Sequence, residues 1–293
     1  MKNKLNGNSL LFMILLGQLI FSQEKKTGID EEETSHSQNF QKLFYEGKEV
    51  SEGEFPWQVA IKKYRNKKEV WCGGVILSDK WIITSAHCFN YIEEGVEVLE
   101  DYDDFYIYSG SVSHKSKGKK SKIKNLIYKE GHNPNTFYND LALLELRKPI
   151  DLSKTNRKAI NIVSTKELEH VTSENVSEAV GWGNTKNKEN PEILNKVSYP
   201  IIDYNKCKQY KNMKDVLRNK MLCYGIEGIN VACKGDSGSG VFYQGGQETK
   251  LIGLVTTGSN CEDEDSQIQE FSMITNLFEF RQWITDTINT KSN

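Results

Sequence analysis

Three short stretches, far apart in the chain, carry the residues best suited to chemistry. Val231-Ala-Cys-Lys-Gly-Asp-Ser-Gly-Ser-Gly240 combines a cysteine, a carboxylate, hydroxyls and glycines in a mixture that neither a helix nor a regular strand favours. It predicts a tight loop, in which Gly235 and Gly238 admit unusual dihedrals and leave backbone N–H groups free to point outward. Trp81-Ile-Ile-Thr-Ser-Ala-His87-Cys88 runs an apolar strand into a small-residue turn that bears an imidazole. Tyr138-Asn-Asp140-Leu-Ala-Leu-Leu-Glu-Leu146 sets a carboxylate at the head of another strand. Serine, histidine and aspartate are the three types that turn a weak hydroxyl into a nucleophile: the imidazole takes the proton and the carboxylate fixes its tautomer. Taken singly, each has a plain structural reading, as a glycine-rich turn, a core histidine and a strand-leading cap. The three contexts together favour chemistry.

The elements that must position these groups are mostly strands. Runs of β-branched and aromatic residues recur between turn clusters, among them Pro56 to Ile61, Val70-Trp71, Val75 to Leu77, Trp81 to Ile83, Phe105 to Tyr108, Ile123 to Tyr128 and Leu141 to Leu146. That spacing is the pattern of a barrel or sandwich. A second set comprises Glu178 to Val180, Leu194 to Ile202, Met221 to Cys223, Gly240 to Tyr243, Leu251 to Thr256 and Phe271 to Thr275, so two similar halves are joined by the polar segment Lys148 to Ala159. The end differs in period. Leu277, Phe280, Ile284 and Ile288 fall at helical steps after Asn276, a suitable N-cap, and predict an amphipathic helix packed on the body.

The 293 residues carry a formal net charge of −2, so no global field argues for nucleic acid or a membrane surface. Basic Met1 to Lys4 precede an apolar run, Leu10 to Phe21, that is too short to span a bilayer and is followed by Ser22. Residues 1–22 read as a secretory signal peptide, and the polar stretch 23–43, with its acidic run Asp30 to Glu33, as a removable propeptide. Six cysteines, Cys72, Cys88, Cys207, Cys223, Cys233 and Cys261, are an even number in a chain marked for export and predict disulfides, with fifteen pairings formally open. No Cys-x-x-Cys pair occurs and the histidines are scattered, so neither a metal nor another cofactor is expected.

His87, Asp140 and Ser237, in this order and in these contexts, resemble the chymotrypsin/trypsin family of serine proteases, a resemblance that runs from Phe44 to the C-terminus. It implies an all-β fold: two six-stranded antiparallel barrels, about 44–150 and 151–276, a C-terminal helix near 277–290, and a cleft between the barrels holding the three residues. It implies a secreted serine endopeptidase, monomeric and made as a zymogen, whose oxyanion hole is the backbone N–H groups of Gly235 and Ser237. It also selects Cys72–Cys88, Cys207–Cys223 and Cys233–Cys261 as the disulfides. In the family the aspartate at Asp236 turns inward to pair with the α-amino group released on activation. An activating protease would here cut between Leu43 and Phe44, although Phe44 is bulkier than the β-branched residue usual at that place. Protein or peptide substrates would meet Val231, Thr256, Gly258 and Gln269. Val231 stands where trypsins carry the aspartate that attracts basic side chains, so preference should be chymotrypsin- or elastase-like. The hydroxyl of Thr256 matches a serine that bonds the triad aspartate.

Other features depart from the family pattern or lie outside it. Gly238-Ser239-Gly240 replaces the usual Gly-Gly-Pro, suggesting a more flexible turn. Two basic runs, Lys62 to Lys68 and Lys115 to Lys124, are expected in neighbouring loops of the first barrel, as a solvated face or as an exosite for an acidic protein or polyanion. The acidic stretch Glu93 to Asp104 reads as a surface insertion. Asn175-Val-Ser177 is the single N-glycosylation triplet. A catalytically silent homologue used as a binding or cofactor protein is the alternative function.

Overall fold

The computed structural model describes residues 47–63, 72–115, 118–168, 170–171, 176–185, 189–209, 220–226, 231–245, 248–257 and 271–292. Phe44, Gly258, Cys261, Gln269 and Asn175 lie outside them, as do the expected signal peptide and propeptide. In chain order the strands are β1 (Lys48–Glu49), β2 (Gln58–Lys63), β3 (Cys72–Ile76) and β4 (Trp81–Thr84), then a separate hairpin of β5 (Asn90–Glu93) and β6 (Val96–Leu99). After it come β7 (Phe105–Ser109), β8 (Lys119–Tyr128) and β9 (Ala142–Leu146). The second half supplies β10 (Val176–Gly181), β11 (Asn195–Ile202), β12 (Met221–Tyr224), β13 (Gly240–Gly245), β14 (Glu248–Thr257) and β15 (Ser272–Asn276).

These strands close two antiparallel barrels. The first runs β2-β3-β4-β9-β8-β7. The second runs β11-β10-β13-β14-β15-β12 and is closed by the β11–β12 pairing, with β1 added on β11. Closure leaves no long unpaired edge, and inward-facing side chains fill each interior. Within the first barrel Val59, Ile61, Ile76, Ile82, Phe105, Ile107, Leu144 and Leu146 form a core that water does not reach. A second apolar cluster reaches from Ala60, Val75 and Trp81 across to Val180, Phe242 and Leu254, so the two barrels share a dry contact. Leu277, Phe280 and Ile284 join that cluster and Ile288 packs against it. The helical stripe is therefore core, entered by a 3-10 turn Leu277–Phe280 before the helix Arg281–Ser292. The Asn276 side chain accepts from the Phe278 N–H at 3.2 Å, a cap on that turn.

Tyr224 ties the second barrel together. Its buried hydroxyl donates to the Ser177 carbonyl at 2.8 Å and accepts from the N–H groups of Ala179 and Tyr199 at 3.1 and 3.2 Å. One phenol on β12 thereby serves polar groups of β10 and β11.

Three local expectations are corrected. The second basic run is part of a regular strand: Lys119, Lys120, Lys122 and Lys124 are exposed on β8 because alternation turns Ile123 inward. In the first run Lys62 is buried, donating to the His114 carbonyl and ring at 2.9 and 2.8 Å, so it does not belong to a solvated face. Gly238 to Gly240 is not a loosened turn. Ser239 and Gly240 are buried, the Gln58 amide donates to the Ser239 hydroxyl at 3.2 Å, and the Gly240 N–H donates to Gln58 Oε1 at 3.3 Å, a bond proline cannot make.

Candidate active site

His87 occupies the 3-10 turn Ala86–Cys88 that follows β4. All four residues of β4 are buried, so the turn starts from a fixed strand end. The Cys72–Cys88 disulfide ties it to β3, and Thr84 Oγ1 donates to the Gly73 carbonyl at 2.8 Å. Ser85 Oγ donates to the Val255 carbonyl at 3.1 Å, which fastens the turn to the second barrel.

Asp140 stands at the head of β9, every residue of which is buried. The chain reaches it through two left-handed residues, Phe137 and Asn139, with φ of 53° and 52°. Asn139 holds that shape by donating its side-chain amide to the Glu130 carbonyl at 2.7 Å. The Asp140 side chain is fully buried and both its oxygens serve His87: Oδ2 lies 2.8 Å from the ring Nδ1 and Oδ1 accepts the His87 backbone N–H at 2.8 Å. Burial works against its charge, but the His87 imidazole and these hydrogen bonds outweigh that and hold the carboxyl below its ordinary value. An acceptor at Nδ1 fixes the tautomer, leaving Nε2 as the basic nitrogen. The Phe137 ring stands edge-on to the imidazole, with centroids 5.4 Å apart. Sequence reasoning missed Phe137, whose signal was its place three residues before Asp140 in an Asn-rich turn.

Ser237 lies in a loop pinned from three sides. The Asp236 N–H donates to the Cys233 carbonyl at 3.0 Å and the Ser239 N–H to the Asp236 carbonyl at 2.9 Å. Gly238 donates to Val255, and the Ser237 carbonyl accepts the Gly73 N–H from the first barrel at 2.7 Å. Cys88 Sγ stands 4.0 Å from that carbonyl, which places the backbone of Ser237 beside the disulfide that braces His87. Gly235 and Gly238 have φ of +100° and +74°, conformations that cost a residue with a Cβ. Neither the Gly235 nor the Ser237 N–H finds an acceptor among the described residues.

Asp236 is turned inward. Its oxygens accept the N–H groups of Gly183 at 2.8 Å and Cys233 at 2.9 Å. A Cβ on Gly181 or Gly183 would collide with this carboxyl, so both glycines make its site. Desolvation dominates the two N–H donors and pushes the Asp236 pKa up to about 6. No cation pairs with it among the described residues.

The expected pocket residues are only partly brought together. Val231 is 9% exposed and packs with Ala179, Tyr199 and Tyr224. Thr256 is buried at a bulge between β14 and β15, and its hydroxyl bonds the Thr275 hydroxyl at 2.8 Å instead of the Asp140 carboxylate. Thr275 in turn donates to the Asp140 carbonyl at 3.1 Å, so the pair steadies that residue through its backbone. Cys207–Cys223 is formed and Cys233 is also in a disulfide. The sulfurs of Cys72 and Cys88 beside His87 are bonded to each other and offer no thiolate to a metal. No helix among the described residues is long and apolar enough to cross a membrane.

The comparisons with known proteins agree with this architecture. The family model described as Trypsin matches residues 44–284. A trypsin from Phaedon cochleariae is 31% identical over 236 residues, covering 80% of this chain and 83% of that protein. A trypsin from Simulium vittatum is 32% identical over 192 residues, 65% of this chain and 71% of that one. Vitamin K-dependent protein C of Oryctolagus cuniculus is 28% identical over 280 residues, which is 92% of this chain but 58% of that protein. Two closed six-stranded barrels and a family match across most of the chain lead to one conclusion: this protein belongs to the trypsin family and is a serine endopeptidase.

Proposed function

We propose that Ser237, His87 and Asp140 form the catalytic triad of a secreted endopeptidase made as a zymogen. The observation that carries this reading is the two-point grip of Asp140 on His87, which fixes both the tautomer and the direction of the ring. In the reaction Ser237 Oγ attacks the peptide carbonyl carbon while its proton passes to His87 Nε2. The N–H groups of Gly235 and Ser237 hold the oxyanion, a contribution of about 3–4 kcal/mol for each donor. The imidazolium gives its proton to the leaving amine, and water then cleaves the acyl-enzyme by the same route in reverse.

Activation on this reading is a cut before Phe44, whose new α-amino group pairs with Asp236. A buried carboxyl with two N–H donors and no cation among the described residues supports that role. The basic start and short apolar run Leu10 to Phe21, with disulfides at Cys72–Cys88 and Cys207–Cys223, support an extracellular setting. The apolar surroundings of Val231 support apolar P1 side chains over Lys or Arg. Lys119, Lys120 and Lys122, exposed along β8, form the face an acidic partner would meet. A serine-directed phosphonate should label the processed protein and fail to label Ser237→Ala. Equal labelling of both, or none of the processed native protein, overturns the triad assignment, and a peptide library dominated by P1 Arg or Lys overturns the preference.

A further inference from the structure

A second histidine stands against the Asp140 carboxylate. His132, in the connection between β8 and β9, has its side chain only 5% exposed, and its Nδ1 lies 4.0 Å from Asp140 Oδ1, the oxygen that also accepts the His87 backbone N–H. The ring is held by stacking parallel to Tyr128, with centroids 6.5 Å apart, and by Nε2, which is 3.1 Å from Asn90 Oδ1. The next link fixes its tautomer. Asn90 is buried on β5 and its Nδ2 donates to Glu97 Oε1 on β6 at 2.8 Å. A carboxylate only accepts, so the amide nitrogen must face Glu97, the amide oxygen must face His132, and His132 Nε2 must carry the hydrogen. Nδ1 therefore holds a lone pair in the neutral ring. No hydrogen bond of good geometry reaches it among the described residues; it faces a buried negative charge, with the Tyr138 carbonyl also nearby.

We infer that His132 is a positioning residue for the catalytic carboxylate, a second imidazole whose protonation at Nδ1 draws Asp140 away from His87 and lowers activity at acid pH. The inference rests on reading Asp140 as the partner of a catalytic His87. Protonation places a new N–H and a positive charge beside Oδ1, so the carboxylate has less charge to offer the imidazolium that forms on His87 during the reaction. The groups facing His132 from its neighbours are Asp140 and His87, Glu97 through Asn90, the backbone carbonyl of Tyr138, and the phenol of Tyr128, which is neutral because burial pushes its pKa up to about 12. On its own connection Lys129 is paired with Glu130 at 2.6 Å. Burial holds His132 below the ordinary imidazole value, against the pull of Asp140 and the Tyr138 carbonyl and with the repulsion of His87, so the neutral form prevails at neutral pH and the proton arrives only on acidification. The exposed hairpin of β5 and β6 is in this way wired to the triad: Glu97 orients Asn90, Asn90 orients His132, and His132 faces Asp140.

Two measurements test this. The acid limb of kcat/KM of the processed enzyme is compared with that of His132→Gln, each curve normalised to its own alkaline plateau so that a loss of folded protein scales out. Glutamine can still donate to Asn90 but cannot take a proton. Two protons that each reduce activity should make the native limb fall more steeply than about 10-fold per pH unit, against about 10-fold in the variant. Second, the His132 ring is titrated by NMR in Ser237→Ala protein with and without Asp140→Asn, where loss of the carboxylate should lower the His132 midpoint by about one unit. A native limb of about 10-fold per unit, or a His132 midpoint indifferent to Asp140→Asn, overturns the inference. Absence of any Ser237-dependent hydrolysis would instead sink the triad reading, and the NMR titration, which needs no activity, would still decide whether His132 senses Asp140.

Discussion

The Asp236 carboxyl makes the full-length chain less stable as pH rises, and Asp236→Asn should remove that loss. Desolvation lifts its pKa from 3.8 to about 6 in the folded state, while the unfolded chain titrates near the ordinary value. Between those two values the folded protein holds a proton that the unfolded protein has released, so stability falls as pH rises through the window and levels off above it. The difference of roughly 2 units corresponds to about 3 kcal/mol at about 1.4 kcal/mol per unit. Asparagine forfeits one of the two N–H bonds, a cost of about 1 kcal/mol, but that cost does not vary with pH. Urea unfolding of the full-length chain, in a Ser237→Ala background that cannot digest itself, should therefore show the difference between Asp236→Asn and its parent moving by about 2.5 kcal/mol in favour of asparagine from pH 4 to 7. Subtraction cancels the other carboxyls, including Asp140, whose depressed pKa gives a slope of the opposite sign. In the processed enzyme, where an α-amino group would meet Asp236, the same difference should reverse, because a paired carboxylate is charged throughout. A difference in the precursor that stays flat or moves against asparagine would refute the reasoning.

Three further outcomes follow from single contacts. Tyr224→Phe leaves the N–H groups of Ala179 and Tyr199 and the Ser177 carbonyl without their phenol, and should destabilise the protein by about 2–3 kcal/mol in denaturant unfolding while hydrolysis at saturating substrate persists. Gly238→Ala meets both a φ of +74° and the side chain of Thr84, so it should lower the unfolding midpoint and cut kcat/KM, whereas Gly53→Ala, with φ +79° and open space around it, should lose only the backbone term of about 1–2 kcal/mol. Replacing Lys119, Lys120 and Lys122 by Gln should weaken binding of a polyanion such as heparin and flatten its salt dependence; binding that is equally strong at high salt would count against that face as its contact.

Much of the candidate site is legible in residue type and spacing. A glycine-flanked serine, a histidine at the end of an apolar strand and an aspartate at the start of another are local signals, written in residue type and spacing. The strands were legible for the same reason: Trp81 to Ile83, Phe105 to Tyr108 and Leu141 to Leu146 carry their burial in their own composition. The hairpin after His87 is not legible in its acidic sequence, because its register depends on a Glu94–Gly95 turn with both φ positive, at 51° and 80°.

What the sequence alone determined was the residue types of the candidate triad, the halves that carry them and the helix that closes the chain, since each depends on neighbours within one element. Tertiary structure alone decided that the Thr256 hydroxyl meets Thr275, that Gln58 clamps Ser239 and Gly240, that Lys62 is buried on His114, and that His132 shares Asp140 with His87. Those contacts join residues between 19 and 182 positions apart, or turn on the 4.0 Å left between two side chains of one long connection. Hydrogen bonds and charges act over a few ångströms of space, and chain folding, not sequence separation, fixes which polar groups come that close.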